Sequence, residues 1–284
     1  MKIRSLEDID FDHLFRGFEK AFSDYEIRFD KEEVRCMLVR RGYNPRLSFG
    51  AFDGDEMVAF TLNGIGLFND IRTAYDTGTG TVAEYRGRGL AGEIFAYSLP
   101  YLRGAGVRQY LLEVLQNNRK AIAVYRRMKF EITRELDCFR QTIADISFPA
   151  GGNEGLDCRI DRIGIESVKG SLMFGDFSPS WQNNIESIER GAANLVCLGA
   201  FIGGNIAGYC VFDPDSGDLT QIAVEREYRE RGIGSRLLRE AVGRMRTDVI
   251  KVLNIAAENT TLPAFLKRRN IVSVNKQFEM ILPL

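Results

Sequence analysis

The sequence predicts an α/β protein, of the α+β mixed type, in which two tandem domains each have a mixed central sheet flanked by helices. Its 284 residues are enough for two domains of ordinary size. Segments with helical and strand periodicity alternate, and their order is repeated along the chain. Residues 143–155 contain a proline and three glycines between the two copies, which is typical of a linker. We therefore expect domains at residues 1–142 and 156–284.

In the first domain, local signals define each element. Two strand-like runs flank the turn Asp53-Gly54-Asp55, which predicts a hairpin. A later helix ends at Gly104, a residue type that is common just after helices. In order, we expect a strand at Ile3, helices at 8–23 and 31–41, strands at 46–52, 57–67 and 72–83, a helix at 90–103, a strand at 107–115, a helix at 118–128 and an extended run at 130–139.

The second domain repeats this order in shorter form. Ser178 and Pro179 are good N-cap and first-turn residues, so they predict the start of a helix. The turn Gly203-Gly204-Asn205 joins two strands. In order, we expect helices at 164–173 and 178–190, strands at 194–202, 206–212 and 219–224, a helix at 234–245, a strand at 249–257, a helix at 262–269 and a final strand.

Composition narrows the class of function. The formal net charge of −1 argues against nucleic acid or an anionic membrane as a partner. No apolar run approaches the length of a membrane span, and the N-terminus lacks the apolar core of a secretory signal. The five cysteines are widely spaced, which favours reduced thiols in a cytoplasmic protein. The single histidine, His13, leaves little basis for a metal site, so none is expected.

The most informative repeat is a glycine turn. Residues 82–91 and 224–234 both contain Tyr-Arg-x-Arg-Gly-x-(Gly/Ala) between a β-rich run and an amphipathic helix. Such a turn is an anion site, because successive N–H groups point into it and the helix dipole adds positive charge. Gly87-x-Gly89-x-x-Gly92, with Glu113 about 20 residues on, also matches a dinucleotide fingerprint. The second copy lacks the third glycine, which counts against that interpretation.

The order of elements and the shared pattern Arg-x-x-Gly-x-(Gly/Ala) resemble the GCN5-related N-acetyltransferase (GNAT) superfamily, once in each half. The resemblance implies that acetyl-CoA is the co-substrate and that the loop N–H groups bind its pyrophosphate. It also implies that the strand before each loop contacts the pantetheine arm. The cofactor-binding residues implied in the first half are Thr81, Val82, Arg86, Gly87, Arg88, Gly89, Leu90, Ala91 and Asn118. Those implied in the second half are Ile222, Val224, Arg229, Gly232, Gly234 and Asn259.

The same resemblance names a catalytic acid. In that family a tyrosine on the helix after the fifth strand often protonates the leaving thiolate, and here Tyr125 follows Asn118 by two helical turns. An ordinary role as a core residue of an amphipathic helix is the alternative. Seven residues past Asn259 the second half has Leu266, which cannot donate a proton. We therefore expect catalysis in the first half, while the second half either binds acetyl-CoA without turnover or is structural.

The resemblance also suggests a base for deprotonating the amine, because acidic residues on the strand before the loop lie near the thioester in several members of that family. Asp76 lies ten residues before Arg86, and Asp218 eleven before Arg229, both near the start of the strand that leads to the loop. We take Asp76 as the candidate base, with a water-mediated base as the alternative. Asp218 follows a plain turn, so a structural role is favoured for it.

Together these observations predict an N-acetyltransferase that transfers acetyl from acetyl-CoA to a primary amine by direct attack in a ternary complex. The acceptor is a small molecule or a peptide, and no sequence pattern identifies it or the oligomeric state. Two alternatives stay open at this point. One is a non-catalytic protein that binds acyl-CoA or a partner, and the other is a nicotinamide-dependent oxidoreductase built on Gly87, Gly89 and Gly92.

Overall fold

A computed structural model of the protein describes residues 1–24, 28–148 and 157–284, and divides them into two compact units. Each unit has the mixed α/β architecture that the sequence predicts. The first unit comprises Met1–Val114, Lys120–Thr133 and Glu279–Leu284. The second comprises Leu115–Arg119 and Arg134–Phe278. The last part of the expected linker, residues 149–155, lies outside the described residues.

The sheet of the first unit is antiparallel except at one pair of strands. Its strands neighbour one another in chain order, and only the pairing of β4 with β5 is parallel. The predicted hairpin is present as β2 and β3. The strands are β1 (Lys2–Ser5), β2 (Phe49–Asp53), β3 (Glu56–Phe68), β4 (Ile71–Thr81) and β5 (Gln109–Leu115).

The first two helices of the first unit begin at good capping residues. The side chain of Asp10 accepts a hydrogen bond from the His13 N–H at 2.7 Å, and Asp30 forms a capping box with Glu33. The first helix packs its apolar stripe, including the buried Phe18, against the sheet. The helices are α1 (Phe11–Ala21), α2 (Lys31–Arg40), α3 (Leu90–Gly104) and α4 (Arg119–Arg127).

The second unit repeats this plan with one parallel pair, β10 with β11. Its strand order is β6-β11-β10-β9-β8-β7. The edge strand β7 was not expected, because only four residues form it and none of them is fully buried. The strands are β6 (Glu131–Thr142), β7 (Arg159–Arg162), β8 (Val196–Ile202), β9 (Asn205–Asp213), β10 (Asp218–Val224), β11 (Val249–Ala256) and β12 (Val272–Pro283).

One helix of the second unit starts later than predicted. Ser178 and Pro179 do not begin it, and a 3-10 turn at Trp181–Asn183 comes first. The Trp181 side chain is fully buried, which holds this turn against the core, and Asn184 then caps the helix by accepting the Ser187 N–H at 2.8 Å. The helices are α5 (Ile165–Gly170), α6 (Ile185–Arg190), α7 (Ile233–Val242) and α8 (Thr261–Lys267).

Three segments belong to units other than those suggested by the boundaries at residues 142 and 156. The first is Leu115–Arg119, which lies in the second unit. Arg134–Thr142 lies in the second unit, where β6 pairs antiparallel with β11. Glu279–Leu284 lies in the first unit, where the Leu284 N–H donates to the Arg108 carbonyl at 2.8 Å. The C-terminal residues are therefore part of the first unit's structure.

Candidate active site and phosphate loops

The two glycine turns have the same backbone conformation. Gly89 (φ 80°) is the N-cap of α3 and Gly232 (φ 82°) is the N-cap of α7, and neither helix has a side-chain cap. Both residues adopt the left-handed conformation that glycine tolerates best. The first N–H groups of each helix have no partner within the helix, so each turn presents donors and the positive end of a helix dipole to an anion.

The first loop arginine is held by the protein itself. Arg86 Nε donates to the Thr81 carbonyl at 3.0 Å and its Nη2 to the Ala21 carbonyl at 2.9 Å. Its guanidinium also pairs with Asp24 at 2.5 Å, which lowers the pKa of that carboxyl to about 2. Arg86 therefore ties the loop to the segment that follows α1, and its direct contact with a cofactor stays a prediction.

The second loop arginine makes the same set of bonds. Arg229 Nε donates to the Val224 carbonyl at 2.9 Å, its Nη2 donates to the Phe174 carbonyl at 2.8 Å, and its Nη1 pairs with Asp176 at 2.9 Å. A carbonyl of the preceding strand, a carbonyl near a helix end and an aspartate recur in both units. The arginine that recurs in both loops thus fixes the loop backbone in each unit.

Strands β4 and β5 separate before the loop in the first unit. Strand β4 pairs with β5 only from Thr73 opposite Gln109 to Tyr75 opposite Leu111. Beyond that point β4 has a bulge at Thr77 and continues to Thr81 along β3 alone. The backbone of Thr81 and the buried Val82, both predicted to contact a cofactor, lies where β4 leads into the loop.

The second unit has a cavity of about 1030 Å³ at the equivalent place. There β10 pairs with β11 only at Asp218 opposite Lys251, and β10 has a bulge at Thr220. The structure brings all the residues predicted for this half together in the lining of the cavity. They are Ile222, Val224, Arg229, Gly232, Gly234 and Asn259.

Asp76 lies next to the bulge of β4. Its carboxylate accepts hydrogen bonds from the Gly78 N–H at 3.0 Å and from the Thr79 hydroxyl at 2.9 Å. Burial raises the pKa of Asp76 to about 6, although these two bonds and the charge of Arg41 act in the opposite direction. A carboxylate with a pKa close to neutrality is a better proton acceptor than an ordinary aspartate.

Tyr125 lies half-buried on α4, with its ring 5.7 Å from that of Phe130. Tyr110 of β5 is buried, and its hydroxyl donates to Asn63 Oδ1. Burial raises the pKa of Tyr110 well above its ordinary value, and the charges of Asp76 and Tyr125 raise it further.

The asparagines before the last helices lie where the sequence predicts. Asn118 directly precedes α4, and its N–H donates to the Leu115 carbonyl at 2.9 Å. Asn259 Oδ1 accepts from the Leu262 N–H at 2.9 Å and so caps α8.

The second unit has apolar residues in place of both candidate catalytic groups. The Ile271 N–H bonds to the Leu266 carbonyl just as the Phe130 N–H bonds to that of Tyr125, so Leu266, fully buried in the core, occupies the tyrosine position. If the two bulges are aligned, the buried Leu219 occupies the position of Asp76. This replacement was missed from the sequence, because only the register of the bulges reveals it.

Asp218 is instead a structural carboxylate at the start of β10. It is 5 % exposed, and its Oδ2 accepts a hydrogen bond from the Thr220 hydroxyl at 3.0 Å. Glu113, the acidic residue of the dinucleotide pattern, accepts a hydrogen bond from the Tyr75 hydroxyl at 2.9 Å.

No helix in the described ranges is long and apolar enough to cross a membrane. No group of three or more His, Cys, Asp or Glu side chains in residues 1–24, 28–148 and 157–284 could hold a metal ion. None of the five cysteines forms a disulfide bond in that part of the chain.

Comparison with known proteins agrees with this geometry. The model of the acetyltransferase (GNAT) family matches residues 11–130 and 170–270, one match in each half of the chain. No curated protein gives a significant match to the sequence.

Solved structures resemble the chain over almost its whole length. A GCN5-related N-acetyltransferase from Sphaerobacter thermophilus has a TM-score of 0.69 at 13% identity, covering 99% of this chain and 95% of its own. A putative acetyltransferase from Pyrococcus horikoshii has a TM-score of 0.70 at 16% identity, covering 100% and 89%. A tandem GNAT protein from the clavulanic acid biosynthesis pathway has a TM-score of 0.69 at 12% identity, covering 99% and 98%. Since the family model matches both halves, the chain belongs to the GNAT family of acetyltransferases, as a tandem member.

Proposed function

We propose that this chain is an N-acetyltransferase that transfers acetyl from acetyl-CoA to a primary amine of a small molecule or peptide, and that the first unit catalyses the reaction. The observation that supports this most directly is the asymmetry between the units. The first unit has Asp76 on the strand that leads to its glycine turn and Tyr125 on α4, whereas the second has Leu219 and Leu266 at the corresponding positions. All five cysteines are reduced in the described structure, which supports a cytoplasmic location.

The residues of the first unit fit acetyl-CoA. The uncapped N–H groups at the start of α3, reached through Gly87–Ala91, suit the diphosphate. The end of β4 at Thr81–Val82 is not paired with β5, so its backbone groups are available to the pantetheine arm. When bound, acetyl-CoA supplies an activated acetyl group.

Asp76 would remove the proton from the acceptor. An alkylammonium has an ordinary pKa near 10, so an attacking amine must lose a proton first. Asp76, with its pKa raised to about 6, is ionised at neutral pH and accepts that proton directly or through a water. Arg41 donates to the Thr77 carbonyl at 2.8 Å and fixes the bulge that holds Asp76.

Tyr125 would protonate the leaving sulfur. A phenol is protonated at neutral pH, and it can give its proton as the thiolate departs. No covalent enzyme intermediate is needed, because the amine attacks directly.

The test is release of free CoA from acetyl-CoA in the presence of a broad panel of amines. We expect release with the wild type and, for Tyr125→Phe, a kcat lower by about 100-fold with acetyl-CoA affinity nearly unchanged. Tyr101→Phe is the matched control, because Tyr101 lies exposed on α3 and bonds only to the Tyr97 hydroxyl among the hydrogen bonds of its side chain in the described residues.

Two outcomes would contradict the proposal. If Tyr125→Phe keeps its kcat and loses only thermal stability, Tyr125 is a core residue and the acid lies elsewhere. If no amine releases CoA although acetyl-CoA binds, the chain is a binding protein.

A further inference from the structure

The second unit buries a guanidinium that has no counter-ion. Arg269, just after α8, is 7 % exposed and lines the cavity of this unit. Its Nη1 donates to the Phe265 carbonyl at 2.7 Å and its Nη2 donates to the Ser235 hydroxyl. Within the described ranges, its Nε has no hydrogen-bond partner and no carboxylate pairs with the side chain. The guanidinium carbon lies 3.6 Å from the centre of the Phe265 ring, so the buried positive charge contacts an aromatic face but pairs with no anion of the described residues.

This arrangement is unfavourable in the absence of an anion. Burial and, to a smaller extent, the neighbouring charge of Arg268 lower the pKa of Arg269 to about 10. Charged groups that leave water are normally paired, because neutral hydrogen-bond partners recover only part of the lost hydration. A bound anion would supply the missing partner.

The guanidinium lies against the phosphate loop of the second unit. Ser235, which accepts its hydrogen bond, is the third residue of α7 and so belongs to the first turn of that helix. The same turn has N–H groups without partners inside the helix. Two independent positive features, a helix N-terminus and a buried cation, thus meet at one wall of the cavity.

The other charges of the cavity do not cancel this one. Arg236, Arg239 and Arg268 also line it. Of its acidic lining residues, Asp176 is already paired with Arg229, and Glu230 lies exposed on the loop. The cavity therefore has an excess of positive charge.

The first unit has no such cation at the matching position. Lys129 (φ 71°) and Asn270 (φ 60°) are the left-handed residues that end the equivalent helices, so Met128 corresponds to Arg269. Gly92 corresponds to Ser235, and the methyl of Met128 lies 3.3 Å from the place of a Cβ at Gly92. A thioether against a glycine in one unit is replaced by a guanidinium against a serine in the other.

We propose that Arg269 and the first turn of α7 form a diphosphate-binding site of the second unit that is tighter than the loop of the first unit. The inference rests on the proposed function only for the ligand class, a nucleotide diphosphate such as that of CoA. Since Leu266 and Leu219 replace the candidate acid and base there, a ligand held at this site is bound without reaction.

The experiment is calorimetric titration of the full chain with inorganic pyrophosphate, followed by CoA. We expect two classes of site in the wild type. Arg269→Met, which installs the residue of the first unit, should weaken the tighter class at least tenfold and leave the other unchanged. Arg269→Lys should recover part of the affinity. Arg244→Met is the matched control, because Arg244 lies on the segment after α7, pairs with Glu240 and is absent from the cavity lining.

Two results would overturn the inference. The first is unchanged affinity of both classes in a folded Arg269→Met chain, which would make Arg269 a structural residue that bonds Ser235 and Phe265. The second result applies if Arg269→Met does not fold. In that case the inference fails if Arg269→Lys binds pyrophosphate with full affinity and Met128→Arg does not increase the affinity of the weaker site. Acetyl transfer is measured separately, so loss of the tight site with normal kcat supports the inference even if the acceptor chemistry proves different.

Discussion

The two phosphate loops show how a duplicated unit can keep its backbone while its side chains diverge. In both loops a left-handed glycine caps the helix, and an arginine bonds a strand carbonyl, a carbonyl near a helix end and an aspartate. Around this shared frame the chemistry differs at three places. Asp76, Tyr125 and Met128 of the first unit correspond to Leu219, Leu266 and Arg269 of the second. The loop motif therefore indicates a backbone suited to binding phosphate, and residues outside the motif decide whether the unit is also catalytic.

The sharpest way to break this comparison is to damage one loop at a time. Gly89→Glu should lower turnover by about 100-fold or more, because a carboxylate in the loop repels phosphate. Gly232→Glu should leave most of the activity. Nothing lies within 4 Å of a Cβ at Gly89, so the side chain itself would not clash. Since φ is near +80° at both sites, each change also costs about 1–2 kcal/mol of stability.

Activity of both variants should be compared at a temperature where both are folded, as judged by circular dichroism. If the folded Gly232 variant is inactive and the Gly89 variant is active, the catalytic unit is the second one.

Asp76 gives a prediction in which activity and stability change in opposite directions. As the proposed base, it should make kcat/KM fall as the pH drops through about 6, and Asp76→Asn should remove that limb of the profile with roughly 100-fold of the rate. Because its folded pKa is raised, this carboxyl favours folding below its ordinary pKa near 4, and that contribution is lost as the pH rises through 6. Asp76→Asn should therefore stabilise the protein at pH 8, by up to about 3 kcal/mol.

Thermal unfolding at pH 4 and pH 8 measures the stability change. An equal loss of stability at both pH values would mean that the hydrogen bonds of the carboxylate outweigh its burial. Asp218→Asn is the matched control for the rate, because Asp218 bonds Thr220 in the unit proposed to be inactive.

The smallest expected effect concerns a position at which the first loop has a left-handed glycine and the second loop has a glutamate. Gly87 (φ 76°) corresponds to Glu230 (φ 62°). Glu230→Gly should tighten pyrophosphate binding by the second unit about three- to tenfold, because it removes a negative charge from the loop. The gain in backbone freedom of the unfolded chain should nearly offset the relieved strain, so the melting temperature should change little. Calorimetry with Glu227→Gly, an exposed glutamate of the same segment, is the comparison, and equal effects would remove the special role of Glu230.

Local signals in the sequence predicted the loops well. Glycines at positions that need a positive φ, between a strand run and an amphipathic helix, leave few alternatives, and α3 and α7 begin where expected. The helix expected from Ser178 failed because burial of Trp181 outweighed a good local capping pair. Local rules do not include that tertiary contact.

Features that depend on pairing between residues distant in sequence could not be predicted from the sequence. The equivalence of Asp76 with Leu219 follows from bulge register, and the position of Arg269 beside Ser235 follows from helix packing. Neither leaves a periodic or compositional signal in the chain. The assignment of Arg134–Thr142 to the second unit and of Glu279–Leu284 to the first was also not predictable. A linker signal near residue 149 does not indicate which sheet a neighbouring strand joins.

The placement of the C-terminus has a consequence for how the protein is made. Glu279 and Met280 are buried in the first unit, Glu279 bonds the Thr133 hydroxyl, and the Leu284 N–H reaches the Arg108 carbonyl. On the ribosome, the first unit therefore lacks Glu279–Leu284 until translation has passed the second unit. Its completion depends on contacts of very long sequence separation, which form slowly. The unit that we propose to be catalytic is thus completed only after the second unit has been synthesised, and a nascent chain released before residue 279 would contain no completed catalytic unit.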